Sequence, residues 1–322
     1  MSERQVNSVE LNFVQRLGLG LLWSFSRAMS FTPRWFRFYI FQPFVTLLFR
    51  LVGYRSRVIV SNLESAFPEK SKSEIRKIRN RYYSTLSEVA VDTVCLAGVD
   101  IRSRGKHIVW ENGEEHRKAV EGRDWIALAS HFGCWEYFPM YAWELDGDRF
   151  MSVYHPLRSN VFEAYYRRIR QFAPNIDQVP MKNSLRHYIT NRSKEHGICL
   201  GLISDQSPLL TAETEWIEFF GRPTAFVDGG ARLALRFNIP AYYGHIRRIK
   251  AGQYGVTLEL IYDGKEDIEP QEIVRRYAER LEKMVRENPE LWMWSHRRWR
   301  HTPEKQRAKF GTSTLDGKSR NV

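Results

Sequence analysis

From residue 125 to residue 261 the chain alternates short β-branched apolar runs with longer amphipathic ones. The apolar runs are WIALAS (125–130), FMSVYH (150–155), GICLGLIS (197–204), PAYYGHI (240–246) and YGVTLELI (254–261). Between and after them, apolar residues recur at helical spacing around 134–145, 159–172, 182–194, 227–237 and 270–287. Strands alternating with helices predict an α/β fold, a sheet flanked by helices. Upstream, residues 55–99 read as helical on both sides of a break at Pro68. Ser71 or Ser73 can cap a helix that carries Ile75, Ile78, Tyr82, Leu86, Val89 and Thr93 on one face.

The first fifty residues follow a different pattern. From Leu11 to Val52 the chain is densely apolar and aromatic, and its only charges are basic: Arg16, Arg27, Arg34, Arg37 and Arg50. It reads as two helices joined near Thr32-Pro33. The longest uncharged run, Phe38 to Phe49, would extend about 18 Å as a helix, short of the roughly 30 Å hydrocarbon core of a bilayer. Such a hairpin suits the interfacial plane of an anionic membrane, with arginines at the phosphates and aromatic rings at the boundary. The alternative is a hairpin packed over the domain's own core. The division expected is a membrane-associating helical segment over 1–55, an α/β domain over 56–303 and a flexible polar tail over 304–322.

Charge and cysteine content narrow the choice. Lys and Arg outnumber Asp and Glu by 49 to 37 in 322 residues, which favours polyanionic partners without choosing among nucleic acid, anionic lipid and acidic protein. Cys95, Cys134 and Cys199 form no CxxC pair, so neither a zinc site nor a disulfide framework is expected. The polar start MSERQVNSVE lacks the features of a secretory signal, and a reducing, cytoplasmic setting follows.

The candidate chemistry sits in ALASHFGCWEYFP (127–139). The run WIALAS is a buried strand, HFG a turn and the remainder a helix, so His131 falls at the carboxyl end of a strand, where open α/β sheets hold ligands. On one continuous helix His131 and Glu136 would point about 140° apart. With His131 in the turn, Glu136 can reach back to the imidazole. It would then fix the ring while the other nitrogen takes a proton from an attacking hydroxyl. Backbone amides after His131 are the natural donors to the oxyanion. No HExxH, GxxxxGK[ST] or GxSxG is present, which removes the simplest zinc-protease, P-loop and serine-hydrolase readings.

The segment HFGCWE resembles the HX4D/E motif of glycerolipid-type acyltransferases. Around it, NLESAFPE (62–69), VYHPLRSN (153–160), ISDQSP (203–208), FFGRPTAFVDGGARLAL (219–235) and PELWMWSHRRWR (289–300) stand in the order found in the late lipid A acyltransferases, the lauroyl/myristoyl transferase family. The resemblance implies a glycerolipid acyltransferase-like mixed sheet flanked by helices. It also implies transfer of a fatty acyl chain from acyl carrier protein to a hydroxyl of a lipid A precursor, at the cytoplasmic face of a bacterial inner membrane. The family's catalytic pair falls on His131 and Glu136. Neither a metal nor another cofactor is called for.

Further candidates surround this pair. Asp205 and Gln206 follow the strand run at 197–204 and would lie beside the His131 turn if the two strands are neighbours; they read either as substrate-positioning residues or as a turn leading to Pro208. Arg158 and Arg170, with Arg167 and Arg168, form a basic group suited to head-group phosphates or an acidic carrier, and the family pattern favours Arg170. In LWMWSHRRWR, Trp292, Trp294, Arg297, Arg298 and Trp299 suit a membrane interface better than nucleic acid, and a third reading has the tryptophans simply packing. Two rival functions remain: an acyltransferase for a lysophospholipid or aminolipid acceptor, and a non-catalytic basic membrane-binding protein.

Overall fold

The computed structural model describes residues 9–193 and 195–311. At its centre is a seven-stranded sheet of β1 (Ile108–Trp110), β2 (Trp125–Ala129), β3 (Arg149–Tyr154), β4 (Ile176–Pro180), β5 (Ile198–Ile203), β8 (Ala241–Lys250) and β9 (Gln253–Tyr262). A separate two-stranded hairpin pairs β6 (Ile217–Phe219) with β7 (Arg222–Thr224). The order across the large sheet is β1-β9-β8-β2-β5-β3-β4, parallel throughout except for the antiparallel pair β8–β9. It is the mixed sheet expected, and all five predicted strands are present. The two short edge strands and the small hairpin were not predicted.

Strand alternation gives the sheet two apolar faces. Ile126, Leu128 and Leu202 face the helix Gly229–Phe237, where a Cβ on Gly230 would lie 2.8 Å from Leu128 and 2.9 Å from Leu202, so only glycine allows this approach. The helix Pro270–Glu287 packs on the same face through Tyr277, whose ring stands edge-on to Tyr243. On the opposite face Trp125 stands edge-on to both Tyr141 and Tyr242. Tyr141 belongs to the run Trp135–Glu144, which forms 3-10 turns instead of the expected α-helix. Pro139 inside it has no N–H to give an α-helical ladder.

The remaining helices in chain order are α1 (Phe13–Phe31), α2 (Arg34–Val52, with a π-helical turn at Arg37–Phe41), α3 (Ser56–Ala66), α4 (Lys72–Cys95), α5 (Gly113–Val120), α6 (Asn160–Arg170) and α7 (Ser184–Asn191). Ser71 caps α4 in a reciprocal capping box with Glu74. The part of the expected tail that is described is ordered: Pro303–Phe310 forms a helix whose Gln306 amide donates to the carbonyls of Thr211, Ala212 and Thr214. Residues 312–322 lie outside the described residues.

Of the two readings of the N-terminal hairpin, packing over the domain's own core describes its inner face. Its inner face is built onto the domain. The Ser26 and Tyr165 hydroxyls are 2.6 Å apart, Arg168 stacks 3.8 Å over the Trp23 ring, and the Gln42 amide donates to the Ser84 carbonyl at 2.8 Å. Arg27, Arg34, Arg37 and Arg50, expected at lipid phosphates, donate to backbone carbonyls of Ala97, Ala251, Thr32 and Asn80. The outer face is bare. Phe13, Leu17, Leu21 and Phe25 recur every four residues along α1 and all are exposed, as are Phe44, Leu47, Leu48 and Leu51 on α2. No single helix among the described residues is long and apolar enough to cross a membrane; α2 and α3, bent by 91°, pass on length and composition only as a pair.

Candidate active site

The parallel strands β2, β5, β3 and β4 end along one edge of the sheet. Ala129 at the end of β2 pairs with Ile203 at the end of β5. Two residues beyond each partner stand His131 and Asp205, so the register of neighbouring strands places them side by side. His131 Nδ1 lies 2.6 Å from Asp205 Oδ1, and the His131 backbone N–H donates to Asp205 Oδ2 at 3.0 Å. The indole N–H of Trp292 donates to the same Oδ2 at 2.8 Å. Burial alone would raise this carboxyl, but interaction with His131 and the donors from His131 and Trp292 outweigh it and hold Asp205 below its ordinary value.

With Nδ1–H donated to a carboxylate, the neutral ring carries its lone pair on Nε2. That nitrogen faces the Gln206 amide nitrogen at 3.3 Å, and the ring stands edge-on to Trp135, centroid to centroid 4.9 Å. The side chain keeps 16% of its surface exposed, enough for a reacting group to reach Nε2.

The turn that presents His131 is held from both sides. Gly133 has φ +54°, and a Cβ there would come within 2.6 Å of the Tyr254 ring, so backbone conformation and space both demand glycine. Residues 131–133 pair with the chain near Trp292: Met293 N–H donates to the His131 carbonyl at 3.0 Å, and Gly133 N–H to the Leu291 carbonyl at 2.9 Å. The Phe132 N–H is bound to the Ser130 carbonyl at 2.8 Å. These two amides are therefore engaged within the protein and are not the free oxyanion donors expected from the sequence.

The expected partnership of His131 with Glu136 is not the one formed. Glu136 is buried and takes two parallel hydrogen bonds from Arg170, Nε to Oε2 at 2.7 Å and Nη2 to Oε1 at 2.6 Å. Arg170, at the end of α6, thus gives Nε and Nη2 to Glu136. Burial disfavours its charge, but Glu136 overcomes this and raises its pKa. The 3-10 geometry after Cys134 is the physical reason, since it turns Glu136 toward α6. Asp205, read as a substrate-positioning or turn residue, fills the place assigned to Glu136.

The other sequence candidates divide. Gln206 lies in the site. Arg158 is exposed in the loop after β3, at the same edge of the sheet, with no ion pair among the described residues. Trp292, Trp294 and Arg298 are buried, and this corrects their assignment to a membrane interface. Trp292 and Trp294 pack edge-on at 4.7 Å, and Arg298 lies 4.2 Å over the Phe226 ring with Nη1 donating to the Ala225 carbonyl. Burial lowers the Arg298 pKa to about 10 against the opposing charge of Asp205. Trp299 packs partly buried with Phe219, and its indole N–H donates to Thr224. Arg297 alone of the five is exposed. The packing reading of this block is the one the fold supports, because the block must cover the His131 turn. An acid directly after the strand next to the histidine's was the signal for Asp205; nothing local distinguished Trp292.

Residues 7–301 match the family model described as bacterial lipid A biosynthesis acyltransferase. The chain belongs to that family. It is an acyltransferase of lipid A biosynthesis, and the match spans the N-terminal hairpin, the sheet and the Trp-Arg block together. Comparison with curated proteins returned no match.

Proposed function

We propose that the chain transfers a fatty acyl group from acyl carrier protein to a hydroxyl of a lipid A precursor, with His131 as general base and Asp205, not Glu136, as its partner. The observation that carries this reading is the 2.6 Å contact between His131 Nδ1 and Asp205, which puts the basic lone pair on Nε2, where a proton can be taken once the Gln206 amide gives way. In the reaction, Nε2 accepts the acceptor hydroxyl's proton as its oxygen attacks the thioester carbonyl. A C–O bond forms, the C–S bond breaks, and the proton passes from the imidazolium to the departing thiolate. Asp205 stabilises the imidazolium between these steps. The Gln206 amide, 3.3 Å from Nε2, is a side-chain donor where charge develops on the carbonyl oxygen.

The reaction is placed at the cytoplasmic face of the inner membrane. The bare apolar stripes of α1 and α2 support this, since each helix exposes four large apolar side chains at helical spacing while its inner face is fastened to the domain. The glycerolipid alternative shares the chemistry and differs in acceptor. The test is a purified assay with one acyl carrier protein donor and two acceptors, a phosphorylated lipid A precursor and a lysophospholipid. Preference for the lipid A precursor, lost in His131→Ala, is expected. Preference for the lysophospholipid overturns the acceptor, and retained turnover in His131→Ala overturns the mechanism.

A further inference from the structure

A second cavity of about 500 Å³ lies against the edge strand β1, and it includes none of the residues of the His131 site. Three arginines line it, Arg102, Arg104 and Arg117, together with two carboxylates, Glu144 and Glu114, the latter paired with Lys118 at 2.8 Å. Arg104 is paired with Glu144 at 2.9 Å, whereas Arg102 and Arg117 make no ion pair among the described residues. Trp110 forms part of the wall, and the exposed side chains of Ile101 and Val109 make its rim apolar. Two partly solvated guanidinium groups beside an aromatic wall and an aliphatic rim match an anionic group carried on an apolar body.

The cavity's position says which one. The 105–106 backbone beside it is tied to the hairpin, since Arg34 donates to the Lys106 carbonyl at 3.3 Å and to the Ala251 carbonyl at 2.5 Å. Its neighbours on α2 include the exposed Trp35. The wall of the groove is thus fastened to the helix that carries this exposed ring and the exposed Phe44, Leu47, Leu48 and Leu51. The hairpin's own Arg27, Arg34, Arg37 and Arg50 are used on backbone carbonyls. Exposed positive charge beside this junction with α2 is supplied by Arg102, Arg117 and Lys106.

We infer that this groove binds the phosphate of an anionic phospholipid head group, as a lipid-recognition site separate from the acyl-transfer site. The inference rests on the reading that α1 and α2 lie on a membrane, and it is tested by binding alone, so that failure of the acyl-transfer reading leaves its outcome unchanged. The full chain is titrated with dihexanoyl phosphatidylglycerol below its micelle concentration and with glycerol 3-phosphate. In parallel it is sedimented with phosphatidylcholine vesicles with and without one-fifth phosphatidylglycerol.

The wild type is expected to bind the short-chain lipid at least tenfold more tightly than glycerol 3-phosphate, and to prefer the anionic vesicles severalfold. Arg102→Gln with Arg117→Gln should abolish both preferences and leave binding to neutral vesicles intact. A charge-matched control on α4, Arg76→Gln with Lys77→Gln, should keep them. Equal affinity for lipid and glycerol 3-phosphate would make this a free-phosphate site. Equal losses in the control would reduce it to general charge attraction, and no binding of either soluble probe would remove the site altogether. Each of these three results overturns the proposal.

Discussion

Arg170 meets Glu136 through two parallel hydrogen bonds, and this pairing takes from His131 the carboxylate that its motif spacing promises. The pair sits where α6 crosses the 3-10 run after the His131 turn, with Glu136 7% and Arg170 20% exposed. A bidentate ion pair at this depth holds two elements in register more than it supplies charge to an imidazole. Removing one member should leave the other buried and unpaired, at a cost of about 3 kcal/mol or more. Glu136→Gln and Arg170→Met should each lower the urea midpoint clearly, and the double variant should recover a large part of the loss. Urea denaturation of the four proteins checks this; singles that leave the midpoint unchanged would contradict it.

Trp292 acts through Asp205. Its indole N–H and the His131 backbone N–H fix Oδ2, and only then does Oδ1 meet the imidazole at 2.6 Å. Trp292→Phe keeps the bulk and deletes the donor. A hydrogen bond to a charged group contributes about 1.5 kcal/mol or more, so kcat should fall roughly tenfold with KM little changed. Steady-state kinetics decide it, because a residue that only packs would not separate the two constants.

Three histidines make the fold sensitive to acid. Burial lowers the pKa of His107, His116 and His296 to about 4 from an ordinary 6.5. In His107 nearby arginines add to the effect, while in His296 the charge of Asp205 opposes it. Each stays neutral in the folded chain and gains a proton on unfolding, so the unfolded state binds more protons and stability falls as pH drops from about 6.5 to about 4. His116 is the clearest case, packed between Trp125 and Tyr242 with Nδ1 2.6 Å from the Tyr141 hydroxyl. Over the whole interval its share is on the order of 3 kcal/mol. Thermal midpoints measured from pH 7.5 to 4 should decline, and His116→Gln, though less stable at neutral pH, should decline less steeply. An identical slope in the variant would contradict this origin.

Much of the scaffold was legible in the chain. The strands β2, β3, β5, β8 and β9 carry β-branched or aromatic runs long enough to stand out, and the capping box at Ser71 and Glu74 is a local signal read without tertiary information. β1 and β4 were not legible: Ile-Val-Trp is too short, and Ile-Asp-Gln-Val-Pro mixes polar residues that only an edge strand tolerates. His131 was found because a strand, a turn and a glycine coincide there. Its partner was missed because partnership depends on the register of β2 with β5, and Asp205 lies 74 positions after His131 in sequence. The block from Trp292 to Trp299 shows the opposite failure, since aromatic and basic residues suit a membrane surface and a packed turn equally well by composition. Its contact with the His131 turn decides for the core.

The central claim is that His131 and Asp205 work as one unit, and a double-mutant cycle on acyl transfer measures it most directly. His131→Ala and Asp205→Asn should each cost at least about a hundredfold in kcat. The double variant should be no slower than His131→Ala alone, because an unsupported Asp205 has no base left to orient. Circular dichroism on all four proteins establishes that the fold is kept. Near-normal turnover in Asp205→Asn, or losses that multiply in the double variant, would contradict the account.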